Sequence, residues 1–408
     1  MAGSLRLLRE RRFLPLFITQ FLGAFNDNVL KNAMVILITF QGARLSSINA
    51  GLMVSACGGI FILPFFLFSA TAGQLADKYE KSRLIRLIKL CEILIMGIAA
   101  AGFCLPNLPL LLIALFLMGA HSTFFGPLKY SILPQHLHAE ELVGGNALVE
   151  GATFLAILLG TILGGLLIAL GTHGPTWVAA TCTLIALLGW LSSRSIPVAA
   201  SAAPTLQINW NIFSETARAL RLARDDREVF VAIIAISWFW FYGAMFLSQF
   251  PAFAKDNLGG DEYFVTLLLA LFSIGVSTGS LLCARLSHGR IEPKCILAGA
   301  AGLTLFAVDL FFAAPHGARM YADLILIGVC GGLYCVPLYT LMQSCSDATQ
   351  RSRIIGANNI MNALFMVTAA VLAIVLLGTG SNARQLFLIT ALLNAVVTAW
   401  LLWRTKRC

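Results

Sequence analysis

The sequence predicts an all-α membrane protein in which twelve transmembrane helices form two similar halves of six. Composition is the first ground: hydrophobic residues make up 59% of the 408 residues and charged residues only 12%, with a mean hydropathy of +0.85. A soluble chain of this length would leave much of that apolar surface in water. The apolar runs are the second ground, because stretches of about 20 residues match a bilayer core about 30 Å thick.

Twelve apolar runs follow one another along the chain, and each is long enough to cross a bilayer as one helix. The predicted spans are residues 13–40, 50–72, 84–105, 108–126, 144–170, 174–192, 229–252, 262–284, 294–314, 320–343, 356–378 and 383–403.

The segment between the sixth and seventh spans divides the chain near its middle. It opens with alanine, serine and proline, a composition typical of a flexible linker. It continues with arginines among apolar residues, which indicates an amphipathic helix on the inner membrane surface; a solvated basic helix is the alternative. The predicted organisation is therefore an N-terminal half over residues 1–192, a cytoplasmic linker over 193–228 and a C-terminal half over 229–408.

Basic residues predict how the chain is oriented. The net charge of +9 would raise nucleic acid as a partner for a soluble protein, but here the basic residues collect on one side of the predicted membrane. With the N-terminus inside, the cytoplasmic segments, including residues 73–89 and Lys129, hold 23 of the 28 lysines and arginines. This asymmetry predicts a multi-pass protein with both termini in the cytoplasm and no nucleic-acid partner.

Motifs for catalysis and for cofactor binding are missing from the sequence. No GxSxG, HExxH, Walker A or CxxC pattern occurs. The ten cysteines lie mostly in apolar runs and are interpreted as small buried side chains. We therefore predict a protein that is not an enzyme and that uses neither a cofactor nor a metal.

An internal repeat relates the two halves. Pro127-Leu128-Lys129 corresponds to Pro337-Leu338-Tyr339, and Gly144-Gly145-Asn146 corresponds to Gly356-Ala357-Asn358. Repeats of this size in a membrane chain indicate two halves of similar fold.

Charged and amide side chains inside the predicted spans are the candidates for substrate binding or coupling. They are Asp27, Asn28, Lys31, Lys129, Asn146 and Glu150. Asp27 lies near the middle of the first span, where a carboxylate costs roughly 2.5–3.5 kcal/mol on insertion scales. Lys31 follows one helical turn later and could pair with it as a purely structural ion pair. Because Glu150 corresponds to Asn362 in the repeat, we expect the charged chemistry in the N-terminal half.

The turn between the second and third spans carries a possible gating motif. Residues 73–83 read GQLADKYEKSR, and the candidates within it are Gly73, Asp77, Lys78, Lys81 and Arg83. Asp77 could accept hydrogen bonds from the N-terminus of the eleventh span, and the basic residues could bind headgroups or carboxylates. An ordinary positive-inside loop is the alternative reading.

Aromatic residues are concentrated in the seventh span. Trp238, Trp240 and Tyr242 lie within it and are candidates to line a cavity suited to an acyl chain. Packing between helices is the alternative for any single ring.

Five stretches resemble the bacterial lysophospholipid transporter family of the major facilitator superfamily. They are AFNDN (24–28), GQLADKYEKSR (73–83), GPLKYSILPQ (126–135), LVGGNALVEGATFLAILLGTILGG (142–165) and GVCGGLYCVPLYTLMQ (328–343). The resemblance covers nearly the whole chain. It is closest to the transporter module that some relatives carry fused to a 2-acylglycerophosphoethanolamine acyltransferase.

This resemblance implies a flippase that moves lysophosphatidylethanolamine and similar lysolipids inward across the bacterial inner membrane by alternating access. A cytoplasmic acyltransferase would then restore the second acyl chain, and the transporter is expected to be a monomer among membrane lipids. Relatives place an arginine in the seventh span, but none occurs between Trp238 and Gln249, so Lys31 or Lys129 is expected to take its role.

Two other functions stay open at the level of the sequence. The same fold could serve a proton-coupled exporter of drugs or other amphipathic small molecules. The chain could also be a membrane anchor that recruits an acyltransferase without transporting anything.

Overall fold

The computed structural model describes residues 2–45 and 50–405. Within these ranges the secondary structure is helical, without strands, and twelve helices are long and apolar enough to cross a membrane. We number them α1 (Leu14–Leu45), α2 (Ala50–Lys78), α3 (Lys81–Cys104), α4 (Leu108–His136), α5 (Leu142–Ile168), α6 (Gly174–Ser193), α7 (Arg227–Ala252), α8 (Glu262–Leu286), α9 (Pro293–Phe312), α10 (Ala318–Cys345), α11 (Arg351–Gly378) and α12 (Ala383–Thr405). The chain is a multi-pass membrane protein.

Short polar side chains set where several of these helices begin. An oxygen of the residue before the helix accepts hydrogen bonds from the free backbone N–H groups of the first turn. The helices α3, α4, α7, α8 and α9 begin in this way, capped by Glu80, Asn107, Asp226, Asp261 and Glu292.

Each half is built from the same helix pairs. In the N-terminal half α1 packs on α5, α2 on α4 and α3 on α6; in the C-terminal half α7 packs on α11, α8 on α10 and α9 on α12. Glycines permit the closest approaches, since a methyl group on Gly164 would lie 3.1 Å from Val29 Cα and one on Gly279 would lie 2.7 Å from Val329 Cα. Small residues at helix crossings are typical of membrane bundles.

Large apolar side chains cover the outside of the bundle. Leu94, Leu166, Ile374 and Val396 each expose more than 60% of their surface. Apolar side chains exposed over so many helices fit an exterior that faces lipid.

The linker runs along one end of the bundle, which we call the linker face and which also carries the α2–α3 turn at residues 79–80. The other end is called the opposite face. The linker contains one helix, Ile212–Asp225, which packs on α2, α7 and α11 through Glu215, Ala219 and Ala223. One face of this amphipathic helix therefore packs on the protein, while Phe213 is exposed, and its predicted position at the membrane surface stays a prediction. Its arginines Arg218, Arg221 and Arg224 are exposed.

Several helices extend further toward the linker face than hydropathy predicted. The second span was predicted to end at residue 72 but α2 continues to Lys78, and the fourth was predicted to end at residue 126 but α4 continues to His136. Backbone hydrogen bonding does not stop at the edge of the apolar run, so the helices carry polar residues beyond it. As a result Lys129 lies about two turns inside α4. Lys89, assigned above to a cytoplasmic segment, is buried within α3.

Candidate functional site

A cavity of about 550 Å³ lies between the two halves. Toward the linker face it is bounded by Tyr130 of α4 and Tyr339 of α10, whose rings stack with their centroids 4.5 Å apart. Its wall follows α1 from Gln20 to Val35, so the cavity extends from this floor toward the opposite face.

Three charged residues of the N-terminal half lie on the cavity wall: Asp27 and Lys31 of α1, and Lys129 of α4. Ser122 Oγ donates a hydrogen bond of 2.7 Å to Asp27 Oδ2. The Lys31 ammonium lies 4.3 Å from the centroid of the Phe61 ring. Within the described residues, neither lysine forms an ion pair with a carboxylate, so both ammonium groups are available to a ligand.

The rest of the wall is mostly apolar. Its side chains come from both halves and include Val35, Phe61, Phe65, Leu115, Leu247 and Met366. A charged patch beside an apolar wall suits an amphipathic ligand, because each end of such a molecule finds a matching surface.

At the floor of the cavity the stacked rings of Tyr130 and Tyr339 join the halves, and each ring is held by contacts within its own half. Trp240 Nε1 donates to the Tyr339 hydroxyl at 3.0 Å, and the Tyr130 hydroxyl donates a hydrogen bond to Glu150 Oε1. The Lys129 ammonium lies 4.4 Å from the centroid of the Tyr130 ring. Tyr130 thus contacts both Glu150, which does not line the cavity, and Lys129, which does.

Asn28 and Asn146 occupy different places. Asn28 lines the cavity, where its Nδ2 donates to the Ala24 carbonyl oxygen of its own helix at 2.7 Å. Asn146 is buried below the floor and exchanges two hydrogen bonds with Gln343 of α10, at 2.7 and 3.0 Å. This amide pair joins the two halves, so the geometry favours a role for Asn146 in holding them together.

The three candidate aromatic residues of the seventh span lie in different environments. Trp240 lies on the cavity wall. Trp238 does not line it, because its Nε1 donates to Asn394 Oδ1 of α12 at 2.8 Å and its ring stacks on Phe241. Tyr242 is fully buried and donates to the Leu303 carbonyl oxygen of α9 at 3.0 Å. Residues two apart on a helix point in different directions, which is why the three rings face different neighbours.

The linker face is closed by contacts between α2 and α11. Asp77 accepts hydrogen bonds from the backbone N–H groups of Ser352 and Arg353, at 3.0 and 3.3 Å, and its carboxylate forms an ion pair of 3.1 Å with Arg353 Nε. A methyl group on Gly73 would lie 2.7 Å from Arg353 Cα, so glycine is needed for this close approach. A carboxylate at a helix N-terminus is stabilised by the free N–H groups and the helix dipole.

The basic residues of the gating motif have separate environments. Lys81 is buried, and its ammonium has no hydrogen-bond partner among the described residues. Lys78 lies half-buried with its ammonium 5.7 Å from the Tyr79 ring centroid. Arg83 is exposed and lies 3.8 Å from Glu80. None of these three contacts α11 through a described hydrogen bond, unlike Asp77.

A second group of charged residues was not among the predicted site residues. Lys89 and Glu92 of α3 form a buried ion pair, and His121 of α4 and Asn26 of α1 contact the same carboxylate. The sequence did carry a signal, since two charged residues three positions apart lie within the third predicted span. Because Lys89 was assigned to the cytoplasmic side, the pair of charged residues inside the span was not recognised.

Comparison with known proteins establishes the family. The family model described as Major Facilitator Superfamily matches residues 16–370. The chain belongs to the Major Facilitator Superfamily. It is thus a membrane transporter of this superfamily, and its cavity between two six-helix halves is where such a protein is expected to hold a ligand.

Solved structures share the fold at low sequence identity. The crystal structure of the human organic anion transporter MFSD10 (TETRAN) superimposes with a TM-score of 0.79 at 14% identity, covering 96% of this chain and 99% of that one. The transporter FucP in the outward conformation superimposes with a TM-score of 0.74 at 17% identity, covering 97% and 99%.

Relatives of higher sequence identity carry a functional name. The lysophospholipid transporter LplT of Escherichia fergusonii is 30% identical over 348 residues, covering 84% of this chain and 81% of that protein. The protein of the same name from Escherichia coli O7:K1 is 30% identical over 347 residues, with the same coverage.

Proposed function

We propose that the protein moves lysophospholipids such as lysophosphatidylethanolamine across the bacterial inner membrane. The observation that carries this proposal is the 30% identity, over most of both chains, to relatives named lysophospholipid transporters. The cavity supplies independent physical support. Lys31 and Lys129 offer two ammonium groups for a phosphate, Asp27 offers a carboxylate for an amine, and the apolar wall offers a surface for the single acyl chain.

The proposed direction of transport is inward, by alternating access. We place both termini and the linker face in the cytoplasm, because basic residues collect on that side. The structure then corresponds to a state closed toward the cytoplasm by Asp77 and the Asn146–Gln343 pair, with the cavity extending toward the periplasm. Breaking those contacts would release a lysolipid at the inner leaflet.

The proposed partner is a cytoplasmic lysophospholipid acyltransferase, and the transporter works as a monomer without catalysing a reaction itself. Both sides of the cavity come from a single chain, which supports the monomer. Re-acylation would remove the lysolipid on the inner side and so favour net inward movement by mass action.

The test is transport of radiolabelled lysophosphatidylethanolamine into proteoliposomes, read by extracting lipid from the outer leaflet. We expect uptake well above that of protein-free liposomes. Substitution of both cavity lysines, Lys31→Gln with Lys129→Gln, should reduce uptake by at least about tenfold, since two charge-assisted contacts to a phosphate are lost. Lys255→Gln, at an exposed site, is the control and should retain wild-type uptake. Uptake equal to that of protein-free liposomes would refute the proposal, and drug efflux by the same preparation would favour the exporter instead.

A further inference from the structure

The buried group formed by Asn26, Lys89, Glu92 and His121, which we call the inner cluster, lies inside the N-terminal half. Lys89 and Glu92 form an ion pair, and their side chains are 1% and 0% exposed. His121 Nε2 lies 3.3 Å from Glu92 Oε2 and the Asn26 amide donates to Glu92 Oε1 at 2.8 Å. Three helices thus converge on one carboxylate that has no access to water in this state.

The surrounding helices leave room for this cluster. A methyl group on Gly189 of α6 would lie 2.9 Å from Lys89 Cε, and one on Gly23 of α1 would lie 3.1 Å from Lys89 Nζ. An alanine at Gly189 or Gly23 would be in steric conflict with the Lys89 side chain. The slot is therefore shaped to hold one ammonium group against Glu92.

The inner cluster lies directly behind the charged patch of the cavity. Asn26 faces Glu92, while the next residue of α1, Asp27, faces the cavity. In the same way His121 faces Glu92, while the next residue of α4, Ser122, donates to Asp27. Consecutive residues on two helices therefore join the inner cluster to the carboxylate on the cavity wall.

The net charge of the inner cluster depends on whether His121 is protonated. Lys89 and Glu92 cancel each other, so the inner cluster is neutral when His121 is neutral and carries one positive charge when His121 is protonated. The other ionisable groups that face this region are Asp27 and Lys31 from α1, Lys129 from α4 and the Cys182 thiol from α6. A buried positive charge is unfavourable unless negative groups lie nearby. Glu92 and Asp27 supply two such groups, and a phosphate bound in the cavity would supply a third.

The histidine has a ring nitrogen free to take the proton. Neither ring nitrogen has a hydrogen-bond partner among the described residues, and Nε2 is the one that lies 3.3 Å from Glu92 Oε2. With the hydrogen of the neutral ring on Nε2, Nδ1 is the acceptor. Histidine is also the side chain whose charge ordinarily changes between pH 5 and pH 8. The proton would come from a hydronium ion or a buffer acid in the water of the cavity. Its O–H bond breaks as the N–H bond forms at Nδ1, and the conjugate base stays in the solvent.

We propose that the inner cluster is a proton-binding site, with His121 as the acceptor, whose occupancy is linked to the binding of a phosphate-bearing lysolipid in the cavity. This inference rests on the proposed function, because it takes such a lysolipid as the ligand. The negative phosphate favours the protonated cluster, so binding takes up a proton. By linkage, the affinity for the lysolipid then rises as the pH falls.

The experiment is calorimetric binding of lysophosphatidylethanolamine to the detergent-solubilised protein between pH 5.5 and 8. Each titration is repeated in buffers of different ionisation enthalpy, which gives the number of protons taken up. For wild type we expect uptake of up to about one proton per lysolipid and affinity rising by up to about tenfold per pH unit as the pH falls. His121→Gln should bind with little pH dependence and without proton uptake. His173→Gln, an exposed histidine, is the matched control and should behave as wild type.

A second variant guards against a folding defect in His121→Gln. Lys89→Met combined with Glu92→Gln removes the ion pair without leaving one buried charge alone. It should lower proton uptake, because Glu92 no longer stabilises the protonated histidine. Wild-type binding without proton uptake, or unchanged uptake in His121→Gln, would overturn the proton site while leaving the transport proposal intact. Failure of wild type to bind lysolipid at any pH would refute the proposed function.

Discussion

The two halves share a fold but differ in the chemistry they place at the centre of the bundle. The N-terminal half brings Asp27, Lys31 and Lys129 to the cavity and keeps Glu150 and the inner cluster behind its wall. At the corresponding positions the C-terminal half has rings and amides: Tyr339 corresponds to Lys129, and Asn362 to Glu150. Asn362 lines the cavity as a neutral amide and accepts a hydrogen bond from Ser237 of its own half at 2.9 Å.

This difference indicates that the two halves have different roles. Charged groups inside a membrane protein are unfavourable and are kept where they contact a ligand or each other. The C-terminal half supplies the apolar wall and the rings that close the floor, including Trp240 and Tyr339. We therefore expect substitutions at charged positions of the N-terminal half to change function most, and those at the contact between the halves to change the balance of conformations.

The largest effect is expected at Asp27. Asp27→Asn keeps the size of the side chain and still allows a contact with Ser122, so folding should be preserved. Loss of the carboxylate removes the negative charge that Asp27 places on the cavity wall, and uptake should fall by at least about tenfold. Proteoliposome transport measures this, with thermal unfolding as the check on folding. Asp256→Asn, at an exposed site, is the control. Near wild-type uptake by Asp27→Asn would show that transport does not need the negative charge of Asp27.

The fold and part of this site could be predicted from the sequence. Twelve apolar runs and the half-to-half repeat were sufficient to predict twelve helices and the superfamily, because bilayer thickness fixes helix length. Asp27 and Lys31 could be singled out because charged residues are rare in such runs. Which way a side chain points from its helix was much harder, since Trp238 and Trp240 differ by only two residues yet face different partners. The role of Lys89 was missed because a lysine near the end of an apolar run reads as a loop residue.

A smaller effect is expected where the halves meet at the floor. Tyr130→Phe leaves Glu150 buried without its hydrogen-bond donor, which should lower stability by about 1–3 kcal/mol. Glu150→Gln alone should have a milder effect, and the double variant should be less destabilised than the sum of the two single variants. Thermal unfolding of the four proteins gives the coupling energy. A coupling energy near zero would mean that Glu150 draws its stabilisation from Lys129 directly.

Asp77→Ala tests the contact that closes the linker face. Loss of the carboxylate at the N-terminus of α11 should weaken the closed state by roughly 0.5–2 kcal/mol, which shifts a two-state equilibrium by about 2- to 30-fold. Spin labels at the linker-face ends of α2 and α11 should report longer distances. Glu80→Gln is the matched control, because Glu80 binds the linker and its own helix without contacting α11. An unchanged distance distribution together with lost transport would assign Asp77 another role, such as headgroup binding.

The smallest effect concerns the attachment of the linker to the N-terminal half. Burial raises the pKa of Glu80, but hydrogen bonds from the backbone N–H groups of Ala199, Ser82 and Arg83 outweigh it, so that the pKa lies below its ordinary value of 4.5. The folded protein therefore binds this proton less readily than the unfolded chain does. The stabilisation is complete above about pH 4.5 and is lost as the pH falls through the folded-state pKa.

Thermal unfolding of wild type and Glu80→Gln at several pH values between 7 and 4 tests this attachment. We expect the variant to be less stable at pH 7, because the neutral amide accepts hydrogen bonds more weakly than the carboxylate. The difference should shrink as the pH falls below about 4.5, because Glu80 of wild type is then protonated in the unfolded chain before it is protonated in the folded protein. A difference that stayed constant down to pH 4 would show that the charge of Glu80 does not hold the linker. The linker helix would then be retained by its packing on α2, α7 and α11, that is, by both halves rather than by the N-terminal half alone.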